Sequence, residues 1–169
     1  KTRFGAVPAG EHELASYFMG EDNRYGFIAG YRLYNKYGLT TQISKQVEIY
    51  SRKSHVARGT IKNIHLRKLE SFYRPEMLPM IEFLEILENY QKIEDLNQRR
   101  FLTYCNMAVK KFNEKIFDRI YHQMGYKKCT IAFLKEILDT YGIGNTLKKY
   151  LNGTSKYRIP QWENSYGTL

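Results

Sequence analysis

Positively charged side chains are concentrated in one short stretch of the chain, between Ile49 and Leu69. This stretch contains no aspartate or glutamate. Its lysines and arginines are Arg52, Lys53, Arg58, Lys62, Arg67 and Lys68, and its histidines are His55 and His65. Cations that lack neighbouring carboxylates attract phosphate groups and acidic protein surfaces. The pattern therefore predicts that the six lysines and arginines contact a polyanion, such as the phosphate backbone of DNA.

A strand in this stretch would turn apolar side chains inward and cations outward. His65 and Arg67 would share one face of such a strand, and Ile64, Leu66 and Lys68 would share the other. Phosphate contacts from this surface would make binding depend on salt without reading any base sequence. Lysine and arginine at a sheet edge also prevent aggregation without any ligand, and this second interpretation stays open.

Catalytic and metal-binding residues form no recognisable pattern. The four histidines are scattered, without a second histidine or a carboxylate at a ligand spacing. The sequence contains no glycine-rich phosphate loop and no GxSxG nucleophile motif. Glu48 would serve a metal-dependent nuclease only beside further carboxylates, and the basic stretch supplies none. We therefore predict no enzymatic activity, no metal and no cofactor.

The cysteines and the hydropathy predict a cytoplasmic protein without a membrane contact. Cys105 and Cys129 are the only cysteines and belong to no CxxC pattern. Cys105 falls on an apolar helical stripe with Phe101 and Val109, which predicts a buried core residue. No apolar run approaches the roughly 18 residues needed to span a bilayer, and no secretory leader opens the chain.

The whole chain is basic and rich in tyrosine. Its 169 residues carry a net charge of +10, which favours polyanions but also keeps a protein soluble without any partner. Fifteen tyrosines could stack on the bases of single-stranded nucleic acid. Their helical spacing favours a different interpretation, in which the rings lie in the core and the hydroxyls reach solvent.

A small sheet must carry the basic stretch. Alternation of apolar and polar residues predicts a strand over 46–51. The segment 56–69 predicts two further strands that turn near Lys62 and Asn63. Helical spacing predicts a short helix that ends at Gly20 and an aromatic helix over 26–37 that ends at Gly38.

The second half of the chain is predicted to be helical. Pro75 and Pro79 suit the opening turn of a helix. Glu82, Glu85 and Glu88 are expected to face water, and the acidic helix from Glu82 to Glu94 is a candidate surface for a contact between subunits. Three apolar stripes that begin near Phe101, Ile116 and Ile131 predict the remaining helices.

These elements predict an α+β fold with a small, mostly antiparallel sheet packed with helices and a helical C-terminal half. The domain organisation that we expect is a linker over 1–10, an α/β core over 11–72 and a helical part over 73–169 packed on the core. The chain begins without methionine, so we expect residues 1–10 to be a linker that follows a missing N-terminal domain. The tail from Tyr157, with Trp162 and Tyr166, is either a packed strap or loosely held.

Several segments resemble one known family. They are residues 23–30 (NRYGFIAG), 38–43 (GLTTQI) and Val47–Ser51 (VEIYS). In this order they resemble the region after the winged helix in the AbiEi-like antitoxins of bacterial type IV toxin–antitoxin and abortive-infection systems. Residues 3–5 and 154–160 resemble the segments that open and close that region.

The resemblance implies the C-terminal effector domain of an antitoxin that is also a transcriptional regulator, with its winged helix missing from this chain. It implies operator DNA as one partner, contacted through the phosphate backbone, and a nucleotidyltransferase-like toxin as a functional partner. The recognition helix of the winged domain is absent, so support of DNA binding by this part would come from charge. The alternative is a protein-interaction module or stand-alone regulator that docks an acidic partner.

Overall fold

The computed structural model describes residues 10–163, in which four strands form one sheet and six helices pack around it. The strands are β1 (Gly26–Ala29), β2 (Val47–Ser51), β3 (Arg58–Ile61) and β4 (Ile64–Lys68). The helices are α1 (Glu11–Met19), α2 (Gly30–Lys36), α3 (Leu78–Asn89), α4 (Gln98–Ala108), α5 (Glu114–Met124) and α6 (Lys128–Thr140). The predicted α+β fold is confirmed.

The sheet is mixed, in the order β1-β2-β4-β3. The outer pairs β1–β2 and β3–β4 are antiparallel, and the central pair β2–β4 is parallel. The parallel pair arises because the β3–β4 hairpin places its second strand against β2. Lys62, at φ 55°, lies in the turn of that hairpin, where the sequence predicts a turn.

The two faces of the sheet pack against different helices. On one face, Val47, Ile49, Ile64 and Leu66 are buried against α1. On the other face, Phe27 and Ala29 of β1 join the main core with α2 and α3. The same face of β3 and β4 is partly exposed. Successive side chains of a strand point to opposite faces of the sheet. This alternation places Glu48, Tyr50, His65 and Arg67 on the partly open face.

The predicted helix over 26–37 is wrong in its first half. Gly26–Ala29 is a strand paired with β2, and the helix begins only at Gly30. Gly30 has φ 64°, and a Cβ atom there would lie 2.7 Å from Oε1 of Glu48. The predicted stop at Gly38 is confirmed by a φ of 65°, the left-handed conformation that favours glycine.

The expectation that the glutamates of α3 face water is also wrong. Glu82 and Glu85 are only 5% and 7% exposed, and Glu88 is half-buried. The reason is the central position of α3, which contacts α2 and β1 on one side and α4, α5 and α6 on the others. The side chains of Glu82 and Glu85 are therefore not available for a contact between subunits.

One core runs through both parts of the chain. The main hydrophobic cluster extends from Phe27 to Trp162 and includes the fully buried Cys105, as the sequence predicts. Trp162 is 2% exposed and its indole donates a hydrogen bond to Glu136, so the described part of the tail is packed. Residues 1–9 of the predicted linker, and Tyr166, lie outside the described residues. Over residues 10–163, no helix combines the length and apolar character that a membrane span requires.

Candidate functional site

Five of the six predicted contact residues lie near one end of the sheet. β2 and β4 are parallel, so Arg52 and Lys53 after β2 lie beside Lys68 at the end of β4. Arg58, the first residue of β3, pairs with Arg67 near the same end. These five cations therefore come together because of the strand order.

Lys62 does not join them. It lies in the β3–β4 turn at the other end of the sheet, six residues before Lys68. At about 3.3 Å per residue, the two lysines are separated by roughly 20 Å along the strand direction. The sequence could not place Lys62 because the direction of the hairpin relative to β2 decides which end it occupies.

The five cations also point in different directions. Arg58 and Arg67 occupy register positions on the open face, whereas Lys68 falls on the face covered by α1. The Lys53 ammonium lies 4.0 Å and 4.4 Å from the ring centroids of Tyr17 and Tyr25. Such cation–π contacts hold the lysine against aromatic surface while its charge remains.

Two of these cations have carboxylate partners within the sheet region. Arg67 lies 3.7 Å from Glu48, and Lys68 lies 3.3 Å from Glu70. Both pairs are about half exposed, so each contributes only about 0–1 kcal/mol to stability and leaves the cation accessible.

Arg52 and Arg58 form no ion pair with any residue in the range 10–163. Both are exposed. They are the members of the predicted set whose positive charge is least compensated by the chain itself.

The excess positive charge of the described chain lies mainly in residues 97–163, from α4 onward, which sequence reasoning missed. Residues 10–96 carry 12 lysines and arginines and 12 aspartates and glutamates. Residues 97–163 carry 13 lysines and arginines and only 5 aspartates and glutamates. A count by segment would have found this, because the acid-free stretch is offset by the glutamates on either side of it.

Helix α5 shows how the helical half presents its charge. Phe117 and Ile120 are buried, and Lys115 and Arg119 lie on the opposite, exposed side of the same helix. Neither cation forms an ion pair within the described part of the chain. Exposed Lys110 and Lys111 precede this helix in the sequence, and exposed Lys148 follows α6.

The glutamates of α3 make polar contacts across the core. Glu82 accepts a hydrogen bond from the ammonium of Lys36 at 2.7 Å and another from the hydroxyl of Tyr37. These contacts connect α3 to α2. The buried carboxylate thus has both a positive charge and a hydrogen-bond donor.

The next two glutamates connect α3 to the segment between α5 and α6. Glu85 Oε1 accepts a hydrogen bond of 2.7 Å from the hydroxyl of Tyr126. Glu88 lies 3.2 Å from the ammonium of Lys127 and accepts a hydrogen bond from the hydroxyl of Thr130. Glu85 therefore has no cation at hydrogen-bonding distance, in contrast to Glu88.

A polar cavity of about 430 Å³ lies between the open face of the sheet, the end of α3 and the α5–α6 connection. Its charged lining residues are Glu48, Glu85, Glu88, Arg58, Arg67, Lys92 and Lys127. A second cavity of about 400 Å³ continues across the sheet toward Thr60 and His65, and it shares Glu48, Arg58 and Arg67 with the first. Glu48, Arg58 and Arg67 therefore lie where the two cavities join, and Glu85 and Glu88 line only the first cavity, in what we call its deep end.

Burial has a large effect on the carboxyl group in the deep end. Removal from solvent raises the pKa of Glu85 to about 7, although the hydrogen bond from Tyr126 and the charge of Arg67 lower it. The negative charges of Glu48 and Glu88 raise it further. This carboxyl group therefore gains or loses a proton close to neutral pH.

Two polar atoms at the cavity have no partner within residues 10–163. The Tyr34 side chain is 5% exposed, lines the cavity and makes no hydrogen bond through its hydroxyl. Burial and the charges of Glu85 and Glu48 raise the pKa of this phenol. The Oε2 atom of Glu85 likewise accepts no hydrogen bond there, since Tyr126 contacts Oε1.

The described residues contain no group of three or more histidines, cysteines, aspartates or glutamates that could hold a metal ion. Glu48, Glu85 and Glu88 of the cavity therefore form no such group. Burial raises the pKa of the Cys105 thiol, which disfavours the reactive thiolate and fits a core residue.

The chain matches no protein-family model, no curated protein and no solved structure with which it was compared.

Proposed function

We propose that this chain is the C-terminal effector domain of a cytoplasmic, AbiEi-like antitoxin and transcriptional regulator, which supports operator binding through a basic surface. The observation that carries the proposal is the exposed, weakly compensated positive charge, at Arg52 and Arg58 and over residues 97–163. A phosphate backbone is the partner that such charge favours. The role is binding and not catalysis.

The segments that resemble the family support this proposal because they fold into one unit. Residues 23–30 supply β1, which pairs with β2 of the third segment. The second segment, 38–43, follows α2 and is held by Asn35, whose amide donates hydrogen bonds to the carbonyls of Thr40 and Gln42. The first and third stretches are thus paired directly, and the second is held by α2, the helix that follows the first.

On this proposal the domain increases the affinity for DNA without reading its sequence. Lysine and arginine side chains displace condensed counterions from phosphates, and each such contact makes the affinity depend more steeply on the salt concentration. The choice of operator belongs to the winged helix that the resemblance implies. The antitoxin opposes the effect of a nucleotidyltransferase-like toxin, with no requirement for direct contact between the two.

Charge reversal, in a protein that carries the winged helix implied by the resemblance, tests this proposal. We expect Arg52→Glu, Lys53→Glu and Arg58→Glu together to weaken binding to promoter DNA roughly tenfold or more and to flatten the dependence on salt. A second variant, Lys115→Glu with Arg119→Glu, measures the contribution of the helical half. Affinity is measured by fluorescence anisotropy at several salt concentrations.

The matched control is Lys45→Glu, an exposed lysine outside both sets. We expect it to change the affinity much less than either charge reversal. Unchanged affinity and unchanged salt slope in both test variants would refute the proposed role. A loss of binding to an acidic partner protein, with DNA binding intact, would establish the alternative of a protein-interaction module.

A further inference from the structure

The cavity between the sheet and the α5–α6 connection has the properties of a built ligand site. Its lining includes Tyr34 and Glu85, whose side chains are both more than nine-tenths buried. The Tyr34 hydroxyl and the Oε2 atom of Glu85 have no hydrogen-bond partner among residues 10–163, and no fully buried side-chain nitrogen or oxygen there lacks one, so both atoms reach the space of the cavity and are available to a ligand. The two atoms come from different elements and line the same space.

Arg58, Arg67 and Glu48 line both of the adjoining cavities. Arg58 and Arg67 lie on neighbouring strands at paired register positions. Arg58 is exposed and has no ion-pair partner in the described chain, whereas Arg67 lies 3.7 Å from Glu48 and donates a hydrogen bond to the hydroxyl of Tyr50. Guanidinium groups bind the oxygens of phosphate groups in a bidentate manner.

We propose that this cavity binds one nucleotide unit, with its phosphate on Arg58 and Arg67 and the hydrogen-bond donors of its base at Glu85 and Tyr34. The volume of about 430 Å³ falls within the range of small-molecule sites. Arginines suit a phosphate group, and the carboxyl group of Glu85 and the hydroxyl of Tyr34 suit the amino or imide groups of a base. This inference shares Arg58 with the proposed support of operator binding, but it rests on the cavity and not on the basic surface.

The nucleotide can come from two sources, a free nucleoside monophosphate or the phosphorylated end of a strand. Both present the same phosphate, ribose and base to the cavity. The second cavity, which continues toward Thr60 and His65, offers space for the next unit of a strand. Titration with both kinds of ligand distinguishes them.

Isothermal titration calorimetry on the full-length protein tests the proposal. The probes are the four nucleoside monophosphates, a 5′-phosphorylated trinucleotide, ribose 5-phosphate and inorganic phosphate. We expect at least one monophosphate, or the trinucleotide, to bind more tightly than ribose 5-phosphate, because only a base reaches Glu85 and Tyr34. Tighter binding of the trinucleotide would identify a strand end as the source, and tighter binding of the monophosphate would identify the free nucleotide.

Three variants probe the two ends of the cavity. Arg58→Ala removes a charged contact and is expected to weaken nucleotide binding about tenfold or more. Tyr34→Phe removes only a hydroxyl, and Glu85→Gln keeps the acceptor for Tyr126, so both should preserve the fold. Each is expected to weaken nucleotide binding about threefold to tenfold while leaving the affinity for ribose 5-phosphate unchanged.

Two controls match these variants. Tyr73→Phe removes the hydroxyl of another buried tyrosine, which donates to the carbonyl of Asn23 and does not line the cavity. Arg52→Ala removes an exposed arginine that lies outside the cavity. Neither should change nucleotide binding. The proposal is overturned if nucleotides bind no better than ribose 5-phosphate, or if Tyr34→Phe and Glu85→Gln leave their affinity unchanged.

Discussion

Two buried glutamates on α3 differ in how their charge is compensated. Glu82 has the ammonium of Lys36 at 2.7 Å and the hydroxyl of Tyr37. Glu85 has only the hydroxyl of Tyr126 at hydrogen-bonding distance. Burial of an ionised carboxylate is costly unless a cation and hydrogen bonds compensate it, so the two side chains contribute to stability with opposite signs at alkaline pH.

The stability of the protein should depend on the protonation of Glu85. Its pKa is about 7 in the folded protein and near 4.5 in the unfolded chain. The folded state therefore binds more protons between these values, and stability falls as the pH rises from about 4.5 to about 7. The full shift corresponds to about 3 kcal/mol. Glu85→Gln should recover most of this lost free energy of unfolding at pH 8 and little of it at pH 4.5.

Urea unfolding at pH 4.5 and pH 8 measures this difference. The matched control is Glu82→Gln, which removes a buried carboxylate that has an ammonium partner. We expect the control to lose stability at pH 8, where Glu85→Gln gains it. A loss of stability at pH 8 in Glu85→Gln would contradict this account of the buried carboxyl.

At the scale of elements, the sequence predicts most strands and helices but not the β1–α2 boundary. Alternation of Val47 and Ile49 with polar residues identifies β2, because the strand is buried on one side and half-exposed on the other. Phe27 fits both a helical spacing with Tyr31 and an alternation with Ala29. Pairing with β2 decides between them, and that pairing is a tertiary contact that local spacing does not contain.

The lining of the cavity could not be predicted for a similar reason. Tyr34, Arg58, Glu85 and Tyr126 are far apart in the sequence and meet only because α3 lies at the centre of the fold. The glutamates of α3 have the spacing of a solvent-exposed face, so their side chains were expected in water. The arginines of the site were identified, since an acid-free stretch is visible in the sequence itself.

Gly30 should be essential to the β1–α2 junction. Its φ of 64° disfavours any residue with a Cβ atom, and that atom would lie 2.7 Å from Oε1 of Glu48. We expect Gly30→Ala to reduce the free energy of unfolding by about 1–2 kcal/mol from the backbone conformation alone. Displacement of the Glu48 side chain should add to this cost, because it disturbs the pair with Arg67.

Gly142→Ala is the control for the backbone conformation. Gly142 has φ 69°, and a Cβ atom there would meet nothing within 4 Å. Thermal or urea unfolding of both variants separates the two contributions, and we expect Gly30→Ala to be the more destabilising. Equal losses would mean that Glu48 moves aside at no cost.

At the scale of the whole molecule, the two predicted parts share a single core. Phe27 and Leu33 of the first part and Phe133 and Trp162 of the second belong to the same hydrophobic cluster. α3 packs between them, and its glutamates bond to α2 on one side and to the start of α6 on the other. Removal of either part would expose the apolar face that the other covers, at about 25 cal/mol for each Å² of apolar surface.

The chain from 10 to 163 should therefore unfold as one cooperative unit. Trp162, the only tryptophan, reports on the end of the helical half through its fluorescence. Hydrogen exchange of the amides in β2 and β4 reports on the sheet. We expect both probes to give the same free energy of unfolding, and a fragment of residues 10–72 to remain unfolded, because Phe27, Leu33 and Tyr34 would lose the helices that bury them. Separate transitions, or a fragment with the dispersed amide spectrum of a folded domain, would show instead that α1 and the cluster of Val47, Ile49, Ile64 and Leu66 suffice to hold the sheet together.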